Sequence, residues 1–198
     1  AFTERMDGIQ LADVLSDAAG YALVKAARLV LQQHFNPPKD EAQRAPPGLE
    51  QFPELSQARG MFVTLRTRGQ LRGCIGRIES TEPLSTLLPT VTLDAALRDS
   101  RFHPLTAKEL DDVTVEVSVL SAPRRGAGPA EIVAGRDGVV LEKDGHGGVF
   151  LPQVWDETGW TRVEFLRELA SQKAGLAPDA WQEAHLFTFQ DQVFEEAH

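Results

Sequence analysis

Five arginines lie close together between residues 55 and 78, and the same window contains no aspartate or glutamate. They are Arg59, Arg66, Arg68, Arg72 and Arg77. Because a guanidinium can hold a carboxylate or a phosphate through two parallel hydrogen bonds, this local positive charge predicts a site for an anionic ligand. The alternative is that these arginines pair with acidic side chains elsewhere on the surface, and the sequence leaves both interpretations open.

Cys74 lies inside this window, in the string Leu-Arg-Gly-Cys-Ile-Gly at 71–76. Alternate residues of a β-strand share a face, so Arg72, Cys74 and Gly76 are expected to point the same way. A guanidinium beside a thiol favours the nucleophilic thiolate, which makes Cys74 a candidate catalytic residue. Gly73 and Gly76 predict a bulge or a close approach by a ligand or another backbone. The alternative is that Cys74 is a small buried residue, and no local motif places a histidine beside it.

A second candidate cluster follows a predicted helix and consists of Asp99, Arg101, Phe102 and His103. Loops that are held by a rigid scaffold often carry binding residues. We therefore predict that Asp99, Arg101 and Phe102, together with Arg72, Gly73 and Gly76, contribute to a ligand site. The alternative is an Asp–Arg pair that only fixes a turn.

Two polar residues, Glu116 and Ser118, interrupt the valines of the segment 113–120, which alternates as a strand with one buried and one polar face. Glu116 is a candidate general base and Ser118 a candidate ligand contact. If the strand is central, a buried Glu116 needs a partner, which Arg72 or Arg101 could supply. The alternative is a solvated strand face.

The sequence predicts neither a metal site nor a cofactor. Its histidines, at 34, 103, 146, 185 and 198, are scattered without metal-ligand spacing. Cys74 is the single cysteine, which excludes an internal disulfide and a zinc site built on a cysteine pair. Neither glycine-rich nucleotide fingerprint is present.

The composition is that of an ordinary soluble protein: among 198 residues, 42% are hydrophobic and 25% are charged. The 20 basic residues face 29 acidic ones, and the formal net charge of -9 makes nucleic acid an unlikely general partner. No apolar run reaches the roughly 20 residues that span a bilayer, and no signal pattern opens the chain. With a lone thiol, we expect a cytoplasmic protein and no membrane association.

The hydrophobic spacing predicts helices over 13–35 and 83–98, with Pro89 kinking the second or starting a new helix. A hairpin is predicted at 61–66 and 71–78. The capping box at Thr106 predicts a short helical turn, and that at Thr161 predicts a helix that ends at Gly175. Further strands are predicted at 113–120, 131–133, 139–141, 149–151 and 185–190. Helices and hairpins alternate without a strand-helix-strand period, which favours an α+β fold with a mostly antiparallel sheet flanked by helices. We expect a single domain over 1–198, a smaller β-rich lobe within about 123–160, and an irregular proline-rich segment at 36–56.

The string at 71–76 is identical to the signature of the AMMECR family, and the resemblance continues along the chain. Similar segments occur in the same order at 60–65, 99–102, 116–121, 135–138, 151–154 and 173–176. The resemblance covers about residues 10 to 196. Two departures stand out: Ser100 replaces a proline that is usual in the family, and 36–56 matches no family segment.

The resemblance implies an α+β fold with a larger lobe, which holds both termini, and a smaller lobe beside it, with the signature string near the groove between them. It implies no established catalytic activity. Bacterial and archaeal members are described as protein A of the AmmeMemoRadiSam system, which implies a Memo-type protein and a radical SAM enzyme as partners.

Two hypotheses about function follow. The favoured one is a binding or adaptor protein, in which arginines around the signature string hold an anionic small molecule or peptide. The alternative is an enzyme, in which Cys74 is the nucleophile, Arg72 or Arg101 holds an anionic substrate, and Glu116 is the base.

Overall fold

The computed structural model describes residues 14–40, 48–126 and 128–197, and it divides the chain into two compact units. One unit contains the described residues up to Leu120 together with those from Gln192 onward, and the other spans Ser121–Asp191. Expectations for the start of the chain and for the middle of the proline-rich segment lie outside the described residues. After that gap, two short 3-10 turns occur at Leu49–Gln51 and Pro53–Ser56.

The described residues form eight strands and four α-helices. The strands are β1 (Met61–Thr67), β2 (Gln70–Arg77), β3 (Val113–Leu120), β4 (Arg124–Arg125), β5 (Gly138–Lys143), β6 (His146–Phe150), β7 (His185–Phe189) and β8 (Asp191–Glu195). The helices are α1 (Asp17–Phe35), α2 (Leu84–Leu97), α3 (Gln153–Thr158) and α4 (Arg162–Glu168). The strands build two four-stranded sheets, and every pair whose register is described is antiparallel. The predicted α+β class is confirmed.

The first sheet has the strand order β2-β1-β3-β8, so β2 lies at one edge. The hairpin of β1 and β2 closes at Arg68 and Gly69, which both have positive φ angles of 53° and 79°. That geometry matches the right-handed twist of the flanking strands, and it is the reason a glycine follows Arg68. The predicted hairpin is confirmed. One face of the sheet, with Met61, Val63, Leu65 and the valines of β3, belongs to a core that also contains the apolar faces of α1 and α2.

Helix α1 confirms the predicted first helix with a later start, because the Ser16 side chain accepts a hydrogen bond from the Ala19 N–H and caps it. Helix α2 contains Pro89 in its interior and runs from Leu84 to Leu97, so the alternative that Pro89 starts a new helix is wrong, and the kink stays a prediction. Pro89 stands in the second turn, and its missing N–H costs one intrahelical bond that the burial of Leu87, Leu88 and Val91 offsets.

The second sheet has the order β4-β7-β5-β6 and a separate core, in which the rings of Trp155 and Phe165 stack at 3.8 Å between centroids. The capping box at Thr161 is confirmed as the start of α4. The strand predicted at 131–133 is wrong, because Pro129 starts a 3-10 turn over Pro129–Glu131. The sequence also gave no indication of α3 or β8. Within the described ranges, the longest helices are too short or too polar for a bilayer crossing.

Candidate functional site

The backbone of Cys74 lies on the open edge of β2, and two side chains from the segment after α2 satisfy its polar groups. The Cys74 N–H donates to Asp99 Oδ2 at 3.0 Å, and Arg101 Nη2 donates to the Cys74 carbonyl at 3.3 Å. Both groups therefore point away from β1, which pairs with the other side of the strand. Asp99 and Arg101 occupy the place that a neighbouring strand would take.

Asp99 and Arg101 form a two-pronged ion pair. Arg101 Nε lies 3.0 Å from Asp99 Oδ1 and Nη2 lies 2.7 Å from Oδ2, while the Arg101 N–H also donates to Oδ1. Burial by itself raises the pKa of Asp99, but the bonds from Arg101 and from the Cys74 N–H outweigh it and lower the pKa to about 2. The same pairing raises the pKa of Arg101. The Asp99 side chain is 4% exposed and that of Arg101 is 44% exposed, so the acid is enclosed and the base faces solvent.

The Cys74 thiol points to a polar face of the first sheet. Its Sγ lies 3.1 Å from Thr64 Oγ1, and the register places Thr64 between Cys74 on β2 and Glu116 on β3. Burial raises the pKa of Cys74, and the charges of Glu116 and Asp99 raise it further against the opposing effects of Thr64 and Arg101. The thiol is therefore held protonated, and the expectation of an activated thiolate is not supported by this geometry.

Arg72 binds elsewhere than the sequence predicted, because a β-bulge interrupts the alternation of β2. The register shifts between Leu65 and Arg66, and Arg72 is the extra residue opposite that step. Its guanidinium bonds to Glu109 at 2.9 Å and to the His103 carbonyl at 2.9 Å. The alternation on which the shared face of Arg72 and Cys74 was predicted is thus interrupted, and Arg101 is the guanidinium whose charge lowers the pKa of Cys74.

Glu109, which the sequence analysis did not select, has a double role. It closes the predicted capping box at Thr106, which is confirmed, and it is the partner of Arg72. The bond from Arg72 is the main reason why the pKa of Glu109 falls to about 2. Phe102 is half-buried and lies near two cations, with the guanidinium carbons of Arg72 and Arg101 at 5.9 and 5.6 Å from its ring centre.

The two glycines of the string have packing reasons to be glycine. A Cβ on Gly73 would lie 2.2 Å from the Ala95 carbonyl oxygen of α2, and one on Gly76 would lie 2.2 Å from the Met61 carbonyl oxygen of β1. The close approach predicted from these glycines is an approach by backbone. Their assignment to a ligand site stays a prediction.

Glu116 and Ser118 are both buried, at 7% and 0% exposed, so the solvated strand face that was the alternative for them is wrong. Ser118 pairs in register with Phe62, which pairs with Gly76, and this row lies beside the row of Glu116, Thr64 and Cys74. Thr64 was missed because a threonine in a strand is ordinary. Thr64 could have been identified from its position in the predicted strand, because it lies two residues after Phe62 and therefore on the same face.

Two further arginines lie at the same edge and share one acid. Asp94 on α2 accepts a hydrogen bond from Arg77 Nη2 at 3.1 Å and from Arg98 Nη1 at 2.6 Å. Arg77 Nη1 also donates to the Gly76 carbonyl at 3.1 Å. For Arg72 and Arg77, the alternative interpretation of the arginines between residues 55 and 78 is therefore correct: both pair with acidic side chains. Among the described residues, no group of three metal-ligating side chains is found.

The first testable expectation concerns the thiol. Iodoacetamide should modify Cys74 in the folded protein slowly, with a pH midpoint above the ordinary value of about 8.5, because burial disfavours the thiolate. Mass spectrometry of the modified fraction across a pH series measures this, with the urea-unfolded protein as the reference. Fast modification with a midpoint below that value would contradict the protonated thiol.

Known proteins resemble this chain along almost its whole length. The family model AMMECR1 matches residues 24–194. A protein of Methanothermobacter thermautotrophicus is 41% identical over 190 residues, which are 92% of this chain and 96% of that protein. The crystal structure of uncharacterized protein PH0010 from Pyrococcus horikoshii superposes with a TM-score of 0.81 at 36% identity, covering 93% of this chain and 94% of the other. The chain therefore belongs to the AMMECR1 family.

Proposed function

We propose that this protein is a non-enzymatic binding or adaptor protein that recognises an anionic group of a partner at the edge of β2. The observation that carries the proposal is the placement of Arg101. Its guanidinium is 44% exposed, yet it is fixed by a buried carboxylate and by a backbone carbonyl of the signature string. A cation that is held in place before binding loses little conformational entropy when a ligand arrives.

The protonated thiol favours binding over catalysis. An enzyme that uses Cys74 as nucleophile needs a thiolate and a base, but burial raises the pKa of Cys74 and the neighbouring carboxylate of Glu116 opposes a second negative charge. Arg72, which was a candidate to hold an anionic substrate, is 9% exposed and bound to Glu109. We therefore assign the recognition role to Arg101, with Phe102 supporting its guanidinium.

We extend the proposal to the partners and the location. The resemblance of the string at 71–76 to the family signature supports a Memo-type protein and a radical SAM enzyme as partners in the cytoplasm. The ligand group is a carboxylate or another small anion, since a guanidinium fork suits it.

The test is a titration of the purified Memo-type protein and radical SAM enzyme of the same organism against this protein. Arg101→Ala is expected to weaken the complex about 10-fold, because it removes a charge-assisted contact. Arg101→Lys should restore part of the affinity, since it keeps the charge and loses the fork.

The matched control is Arg167→Ala in the other unit. Arg167 is also 44% exposed and also paired with an aspartate, Asp179, so its substitution removes the same charge and the same kind of pairing without changing a residue of the proposed site. Complexes that form equally well with all three variants would contradict the role of Arg101, and absence of binding by the unmodified protein would contradict these partners.

A further inference from the structure

Two guanidinium groups are bonded to backbone carbonyls along the edge of β2 that faces away from β1. Arg101 bonds to the carbonyl of Cys74, and Arg77 bonds to the carbonyl of Gly76. The register from Cys74 to Gly76 is regular, so both carbonyls point away from β1. Two residues of strand advance about 7 Å, which is therefore the separation of the two anchored carbonyls.

The acids at this edge position the arginines without cancelling their charge. Asp94 is shared by Arg77 and Arg98, and Asp99 pairs with Arg101. These three guanidiniums bond two carboxylates, so this group of five side chains carries one net positive charge in a chain of net charge -9. The two acids are largely enclosed, at 13% and 4% exposed, whereas the arginine side chains are 43% to 66% exposed.

Each guanidinium keeps donors for a ligand. A guanidinium has five N–H donors in a planar fork. Among the described residues, the hydrogen bonds of Arg101 use Nε and Nη2, those of Arg77 use Nη1 and Nη2, and that of Arg98 uses Nη1. The donors that remain belong to guanidiniums already held by protein contacts, on side chains that are 43% to 66% exposed.

We infer that the edge of β2 binds an extended acidic segment of a partner protein, in which two carboxylate side chains stand two residues apart. In an extended chain, side chains i and i+2 lie on one face and about 7 Å apart, which matches the spacing of the two carbonyls to which Arg101 and Arg77 are bonded. The inference rests on the proposed binding role of Arg101 and adds the class of ligand and its spacing. A nucleic acid fits less well, because a long polyanion is opposed by the net charge of the chain.

The experiment uses the whole protein and two short synthetic peptides of equal charge, labelled with a fluorophore. One contains Glu-Thr-Glu and the other Glu-Thr-Thr-Glu, each within a threonine-rich extended sequence, so that only the spacing and face of the carboxylates differ. We expect the first peptide to bind about 10-fold more tightly by fluorescence anisotropy at low salt. Arg77→Ala and Arg101→Ala should each remove this preference, and Arg167→Ala should keep it.

Equal affinity for the two peptides, or a preference that survives Arg77→Ala, would overturn the inference. Tighter binding of a single-stranded thymidine oligonucleotide than of either peptide would overturn it in favour of nucleic acid. Suppose that the complexes with the purified partners depend on Arg101 but both peptides bind with equal affinity. The proposed function would then stand, and only the spacing of the carboxylates would be refuted. Peptide discrimination without binding of those partners would refute only their identity.

Discussion

Gly73→Ala is expected to lower the free energy of unfolding by about 3 kcal/mol or more, the upper part of the range for overpacking a core. The reason is that a Cβ on Gly73 would lie 2.2 Å from the Ala95 carbonyl oxygen, and a backbone oxygen in the last turns of α2 cannot move aside as a side chain can. Urea unfolding of the purified variant, followed by circular dichroism, measures the change.

Gly147→Ala is the matched control for this substitution. Gly147 also lies in a strand, β6, and its added Cβ would also meet a backbone carbonyl oxygen, that of Leu141, but at an ordinary 3.6 Å. Because glycine weakens a strand relative to alanine, this variant should be neutral or slightly stabilised. A Gly73→Ala protein as stable as the Gly147→Ala protein would show that α2 is not fixed against β2 at this point.

Asp99→Asn is expected to lower the free energy of unfolding by roughly 2 kcal/mol at neutral pH, from the lowered pKa of about 2 against an ordinary value near 3.8. The direction of the pH dependence follows from the lowered pKa of Asp99. Since the folded protein binds the Asp99 proton less tightly, the stabilisation is complete above about pH 4 and is lost as the pH falls towards 2. The difference in free energy of unfolding between the unmodified protein and Asp99→Asn should therefore become smaller as the pH falls from about 4 to 2.

Measurement of unfolding at several pH values on both proteins isolates this contribution. The carboxylate of Glu109 titrates in the same acid range, but it is present in both proteins and cancels in the difference. Asp179→Asn, at an acid that is 70% exposed and paired with Arg167, should change stability by less than about 0.5 kcal/mol. A pH-independent loss in Asp99→Asn would mean that the charge of Asp99 is not the source of its effect.

The elements with strong local signals could be predicted from the sequence. The β1–β2 hairpin was predictable because Gly69 marks a tight turn between two apolar runs, and α1 because its apolar residues recur at helical spacing. The sequence did not decide between a kink at Pro89 and a new helix, and α2 continues through the proline because burial of its apolar face outweighs the local cost. The strand prediction at 131–133 was wrong because a short apolar run does not distinguish a strand from residues that follow a turn, and Pro129 starts such a turn here.

The candidate site was predictable in its parts more than in its geometry. The sequence placed Cys74, Asp99 and Arg101 in one short set of candidates, and the structure brings these three into contact. It could not show that β2 is an edge strand, because strand order depends on distant pairing. The bulge at Arg72 could not be predicted either. One extra residue in β2 changes which side chains lie opposite each other on β1 and β2, but it does not alter the apolar pattern of the sequence.

The connection of β8 to the first sheet has a consequence for the order of events during synthesis. β8 follows the whole unit Ser121–Asp191, and Glu196 just beyond it accepts hydrogen bonds from Arg28 and from the Val115 N–H, which lie 168 and 81 residues earlier. All four strands of the second sheet have been synthesised once the ribosome has passed Phe189. The first sheet, whose strands β1 to β3 are synthesised earlier, lacks its fourth strand until Glu195 has been added. The sheet that is begun first is thus the last to be completed.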